Sequence, residues 1–204
     1  MIKQTNRRDG LREARLLRGL SHPNIVQLHE VFMQDDEVYM ELDYCRLTLE
    51  EVVNVHIRFE ELHLRLIAHS LFAAIRHISA HRIVHGNVKL ESTRICGKTM
   101  VIKLTNFEDA KPFEDAMPNS DLEQLGLLIL QCMDGRNAGN HADVGRVRQH
   151  RALNKVFGLT EPERWSGAKQ LMDFLDDLFN REKCAETKIT KPVSPSGASF
   201  GAPY

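Results

Sequence analysis

The sequence predicts an α+β domain, with strands around one helix first and a mainly helical region after them. Three observations carry that reading. Strand-like apolar segments cluster early, at Ile25 to Phe32 and Glu37 to Tyr44, while stripes of helical period dominate after Thr48. Two further apolar segments, Ile83-Val84 and Val101 to Leu104, each run into a polar turn, the arrangement by which a rigid scaffold projects polar groups to one place. Hydrophobic residues at 42% and charged residues at 27% are enough for a buried core, so one moderate domain with a tail is expected from 204 residues.

In chain order, Met1 to Thr5 reads as the end of a short strand. Gly10 to Leu20 reads as a helix through Leu11, Ala14, Leu17 and Leu20, stopped by Ser21-His22-Pro23-Asn24 because the residue before a proline disfavours the helical region. The acidic turn Gln34-Asp35-Asp36 joins the next two strands into a hairpin. Thr48-Leu49-Glu50-Glu51 is a helix start with carboxylates in the first turn. Phe59 to Ala80 is a long helix with Leu62, Leu66, Ile67, Ser70, Leu71, Ala74 and Ile78 along one stripe. Helices are also expected at Ser120 to Met133, ending near Asp134-Gly135, at Val147 to Phe157, and at Trp165 to Arg181, with a polar loop at Arg136 to Gly145. Thr190 to Tyr204, rich in Pro, Ser and Gly, reads as a disordered tail whose Ser194-Pro195 is a weak phosphorylation signal.

A formal net charge of -1 makes no case for nucleic acid or an acidic membrane surface. Cys45, Cys96, Cys132 and Cys184 form no CxxC pair and read as reduced thiols. The N-terminus lacks the apolar core of a signal peptide, and no apolar run is long enough to span a bilayer. A cytoplasmic or nuclear protein is expected. Among ten histidines, His77 and His81 have a zinc-compatible helical spacing but no third ligand in view, while His56, His63 and His69 share no helix face.

The stretch His85-Gly86-Asn87-Val88-Lys89-Leu90-Glu91-Ser92, followed by Asn106-Phe107-Glu108, resembles the catalytic loop H-R-D-L-K-x-x-N and the D-F-G loop of the eukaryotic protein kinases. The resemblance extends from Met1 to Arg181. Met1-Ile2-Lys3 resembles the end of the family's third strand, V-A-I-K, with Glu13 where its helix C glutamate pairs with the lysine. Leu20-Ser21-His22-Pro23-Asn24-Ile25-Val26 is similar to L-x-H-P-N-I-V. Val38 to Cys45 resembles the fifth strand and hinge, with Leu42 as gatekeeper. Asp121-Leu122-Glu123-Gln124-Leu125-Gly126 resembles the D-x-W-S-x-G start of helix F.

The resemblance implies a kinase-like fold with a reduced N-lobe sheet over residues 1–46, a shortened helical C-lobe over 47–189 and the tail over 190–204. Lys3, Glu13, Leu42 and Cys45 would border a vestigial nucleotide cleft. Leu17, Leu28, His85 and Phe107 would stack as the family's regulatory spine, anchored by Asp121. Read as residues alone, Lys3 is a solvated cation, Glu13 an ordinary helix carboxylate, Lys89 a structural lysine and His85 a packed histidine.

The departures suggest degenerate chemistry. Asn87 stands at the family's proton-accepting aspartate, and an amide is no base at neutral pH. Asn106 and Ser92 stand at its metal-holding aspartate and asparagine, although Mg²⁺ prefers carboxylate oxygen. Glu108 and Asp109 are displaced carboxylates, Glu108 lying where glycine normally permits the turn. Arg94 falls at the apolar floor beneath adenine, and only Ala110 to Ser120 precede the helix F motif, with no A-P-E. These departures imply a pseudokinase, not an enzyme, that works as a scaffold or allosteric regulator on a protein partner such as an active kinase or its substrate, with no cofactor. The alternatives are a divergent Ser/Thr-type kinase using Mg-ATP with Glu108 or Asp109 as relocated metal ligands and Lys89 on phosphate, or an incomplete kinase remnant.

Overall fold

The computed structural model describes residues 1–55, 57–96, 100–113, 120–135, 139, 141, 143–153 and 156–180. The expected tail, with Ser194-Pro195, lies outside them, as do Cys184 and much of the loop expected after Asp134. The architecture is α+β and kinase-like. A three-stranded antiparallel sheet of order β1-β3-β2 combines β1 (Ile2–Asn6), β2 (Leu28–Gln34) and β3 (Glu37–Leu42). Helix α1 (Arg7–Arg18) packs on it, starting three residues earlier than its apolar stripe suggests because the Asn6 side chain accepts from Asp9 N at 3.0 Å as an N-cap. The helix lies so close that a Cβ on Gly10 would meet Thr5 and Val38 atoms at 2.7 Å.

The chain then crosses to the larger region. Asn24 O and Leu104 O accept from Leu104 N and Val26 N at 2.8 and 3.0 Å, and Asn24 Nδ2 donates to Ile102 O at 2.8 Å. The turn that stops α1 is thereby stitched to strand β7 (Val101–Leu104). Strands β4 (Leu47–Thr48), β6 (Thr93–Cys96) and β7 form a second small sheet, and β5 (Ile83–Val84) pairs with β8 (Lys111–Pro112). Helix α2 (Leu49–Asn54) opens with a capping box: Glu51 N donates to Thr48 Oγ1 at 3.1 Å and Thr48 N to the Glu51 carboxylate at 2.7 Å.

Helix α3 (Glu61–Ala80) and helix α4 (Asp121–Asp134) form the centre of the helical region, flanked by α5 (Val144–Ala152) and α6 (Lys169–Phe179). The expected stripe on α3 needs correction at its start. Leu62 and Leu66 are 73% and 53% exposed, whereas Leu64, Ile67, Ala68, Leu71, Ala74, Ile75 and Ile78 are buried. The helix is apolar on more than one side in its first turns, so sequence period alone selects the wrong face there. Gly126 lets α6 approach α4, since a Cβ there would sit 2.6 Å from the Phe179 ring. One buried core runs through both regions, from Leu17 and Met40 to Leu125, Ile129 and Leu175. No helix among the described residues is long and apolar enough to cross a membrane.

A second correction concerns the cysteines. Cys45 and Cys96 are joined as a disulfide, and Cys132 is buried as a free thiol. No motif spacing announces this pair, because the antiparallel pairing of β4 with β6 alone brings residues 51 apart together.

Candidate active site

Three backbone segments converge where the two regions meet. The loop after β5 carries His85 to Ser92, the turn after β7 carries Asn106 to Asp109, and β1 with α1 delivers Lys3 and Glu13. Lys3 is not a solvated cation: its side chain is 16% exposed, and Nζ donates to Glu13 Oε2 and Oε1 at 2.7 and 2.9 Å. Glu13 is buried, and its Oε1 also accepts from Phe107 N at 3.0 Å. One carboxylate thus joins β1, α1 and the Asn-Phe-Glu turn. Such a buried charge is tolerable because its oxygens are occupied.

The turn itself is built differently from a glycine-dependent one. Asn106 takes the left-handed conformation (φ 61°, ψ 67°), which asparagine adopts more readily than most residues. Phe107–Asp109 then closes as a single 3-10 turn, so Glu108 needs no glycine-like backbone. Its side chain, half-exposed, reaches Lys3 Nζ at 2.7 Å, and its carbonyl accepts from Arg12. Asp109 turns the other way, and its Oδ2 accepts from Asn87 Nδ2 at 2.7 Å. The two displaced carboxylates therefore return to the positions where Lys3 and Asn87 sit.

The loop after β5 is held from both sides. His85 is fully buried, edge-on to the Phe107 ring at 4.7 Å between centroids. Burial lowers its pKa, and the neutral ring donates from Nε2 to Thr105 O at 2.9 Å while Nδ1 accepts from Asn87 N at 3.3 Å. Leu17, Leu28 and Phe107 are also buried. Asp121 accepts from His85 N and Gly86 N, both at 2.8 Å. Gln124, one helical turn on, accepts from Val88 N at 2.7 Å and donates to Gly86 O at 3.1 Å. The motif Asp121 to Gly126 includes Gln124 without a role, and its place three residues after Asp121 on one helix face is the signal the sequence carries for it.

Ser92 is not turned toward a metal. It is buried, with Oγ accepting from Lys89 N at 2.9 Å and donating to Asn87 O at 2.8 Å, so it closes the loop. Lys89 is exposed and flanks an open hollow of about 180 Å³ lined also by Asn87, Val88, Gln124 and Gln131. Arg94, on β6 opposite Thr48, is half-buried and its Nε has no hydrogen-bond partner. Leu42 is buried at the end of β3, and Cys45 is committed to its disulfide.

His22 joins His77 and His81, with ring centroids 5.0 and 4.5 Å apart. Its Nδ1 already accepts from Asn24 N, and His81 Nδ1 meets His77 O. Among the described residues no group of three or more His, Cys, Asp or Glu is arranged to hold a metal.

These features coincide with a family match: residues 1–125 match the protein kinase domain, and the chain belongs to that family. It is 36% identical over 96 residues to the protein kinase domain-containing protein ppk9 of Schizosaccharomyces pombe, covering 47% of this chain and 18% of that one. It is 33% identical over 100 residues to serine/threonine-protein kinase 36 of Pongo abelii, covering 49% and 8%. It is 34% identical over 103 residues to serine/threonine-protein kinase DCLK3 of Homo sapiens, covering 48% and 16%. The chain spans less than a fifth of the length of these relatives. The expectation that the chain is not an enzyme is overturned by this match to the protein kinase domain and to relatives named as serine/threonine-protein kinases. That expectation set Glu108 and Asp109 aside as displaced carboxylates, whereas the folded turn brings them beside Lys3 and Asn87.

Proposed function

We propose that this chain is a divergent serine/threonine-type protein kinase domain whose proton-accepting carboxylate is supplied by Asp109. The observation that carries the proposal is the 2.7 Å contact between Asp109 Oδ2 and Asn87 Nδ2. In this reading Asn87 orients Asp109, which takes the proton of a substrate hydroxyl as its oxygen attacks the terminal phosphorus of ATP and ADP leaves. Lys3, held by Glu13, neutralises phosphate oxygens after Glu108 yields, and exposed Lys89 faces the transferred group. Mg²⁺ typically takes one or two carboxylates plus phosphates and water; with Asp109 kept for the proton, the ATP phosphates would supply most of its ligands and the amide oxygen of Asn106 would be a neutral donor of suitable kind.

The test is a thermal melt of the purified chain with ATP alone and with ATP plus Mg²⁺ or Mn²⁺, followed by phosphate transfer to Ser/Thr peptides. Ligand at 100-fold excess over its dissociation constant adds about 2.7 kcal/mol of apparent stability. A metal-dependent rise supports the proposal; an unchanged melt at millimolar ATP ends it.

A second, compatible role is regulatory contact with a protein partner. It is favoured by Ile2 and Phe32, 67% and 50% exposed, which with Tyr39 share the outer face of the first sheet. Phe32→Glu should abolish co-elution with a candidate partner while leaving the melt unchanged; undiminished co-elution would remove this face from consideration.

A further inference from the structure

The Cys45–Cys96 bond lies at a consequential place. Cys45 follows β3 by three residues, in the connection between the two regions, and Cys96 closes β6, the strand that carries Arg94. The connection is otherwise held by polar contacts: Asp43 accepts from Gln27 N at 3.1 Å and pairs with Lys103 Nζ at 3.0 Å and His29 Nε2 at 2.9 Å, while Arg46 N donates to Ile95 O. Such contacts can re-form after a small rotation of one region against the other. A covalent bond between the connection and β6 cannot.

We propose that Cys45 and Cys96 are a redox-reversible tether that fixes the connection between the two regions when oxidised and releases it when reduced. The third described cysteine, Cys132, lies on α4 with no second cysteine sulfur beside it among the described residues, and burial pushes its thiol pKa well above the ordinary range, so it takes no part in thiolate exchange. Cys45 and Cys96 are themselves buried, at 3% and 7% exposure, beneath the connection between β3 and β4, so exchange at this pair takes place as the connection opens and not on the closed surface. The oxidant class is a small-molecule disulfide such as oxidised glutathione. One thiolate of the pair attacks it, forming a mixed disulfide and releasing one glutathione thiolate. The second thiolate then attacks the protein sulfur and releases the other glutathione. Two protein thiols become one disulfide as one glutathione disulfide becomes two thiols, and the protons pass to the departing thiolates. A dithiol reverses the sequence.

The test equilibrates the full chain in glutathione buffers from reducing to oxidising, blocks free thiols, and maps the digest without reduction. The expected result is a Cys45–Cys96 linked peptide that appears and disappears reversibly. The oxidised form should melt roughly 10 °C above the reduced one, as expected for a cross-link closing a loop of this length. Cys45→Ala and Cys96→Ala should each abolish the redox dependence of the melt. Thiols that stay free across the range, a bridge made through Cys184 instead, or a linked peptide that dithiothreitol cannot open would each overturn the proposal. None of these readouts uses ATP, so failure here is distinct from failure of the kinase reading.

Discussion

Asn87 and Asp109, 22 residues apart, meet through an Nδ2–H to Oδ2 hydrogen bond of 2.7 Å. In the proposed kinase reading, this amide is the donor that positions Asp109. Asp109→Asn retains size and polarity but removes the basic oxygen. Phosphate transfer should fall about 100-fold or more, the usual contribution of a positioned proton acceptor, with ATP binding little changed. The measurement is kcat and KM for a Ser/Thr peptide in both forms. Turnover equal to that of the parent chain would remove Asp109 from the chemistry.

Lys3 holds Glu13 and Glu108 at once, and only the second is half-exposed. An exposed pair contributes at most about 1 kcal/mol. Glu108→Gln should therefore tighten ATP binding two- to five-fold by freeing Lys3, as read by calorimetry. Glu13→Gln should weaken it, because Phe107 N and Lys3 lose their shared anchor. Weaker binding in Glu108→Gln would instead make Glu108 part of the ligand site.

Much of this arrangement was legible in the sequence where interactions are local. The capping residues around Thr48 and Glu51, the period of α1 and the apolar runs of β3 and β7 each depend on neighbours within a few positions. Strand β6 was missed because Thr93-Arg94-Ile95-Cys96 has no clear alternation, and its pairing with β4 and β7 supplies what its own pattern lacks. Lys3, Glu13, His85 and Asp121 were found through the family resemblance. Their distances were not, since Lys3 gains its partners only when α1 and the 3-10 turn close on β1. The disulfide and the roles of Gln124 and Asp109 depend on residues 22 to 51 positions away, beyond the reach of periodicity.

Asp121 should be the most sensitive of these positions to substitution. Asp121→Ala leaves His85 N and Gly86 N without their acceptor in a buried place, at a cost of about 2–4 kcal/mol. Asp121→Asn keeps one acceptor oxygen and should lose less. Urea unfolding of the three forms checks the order parent, Asn, Ala. An alanine variant as stable as the parent would mean that the loop closes around water without this carboxylate.

Stability should fall as the solution is acidified through neutral pH. His22, His77, His85 and His141 all have pKa values held below the ordinary 6.5, burial being the largest cause in each. His85 shows why: its ring already gives Nε2–H to Thr105 O and receives Asn87 N at Nδ1, so a second proton has no acceptor. With lowered folded-state values, the unfolded chain binds more protons from about pH 6.5 downward, and stability rises with pH in that window. Stability is then fully present above the unfolded value and is lost as pH drops toward the folded ones. Asp121, whose carboxyl burial pushes up, acts in the opposite sense, one group against four. Melting temperatures at constant ionic strength should be flat from about pH 8 to 7 and should decline by several degrees toward pH 5.5. An equal or higher melt at pH 5.5 would show that the imidazoles take up protons in the folded chain, and the neutral His85 that bridges Asn87 and Thr105 would have to be abandoned.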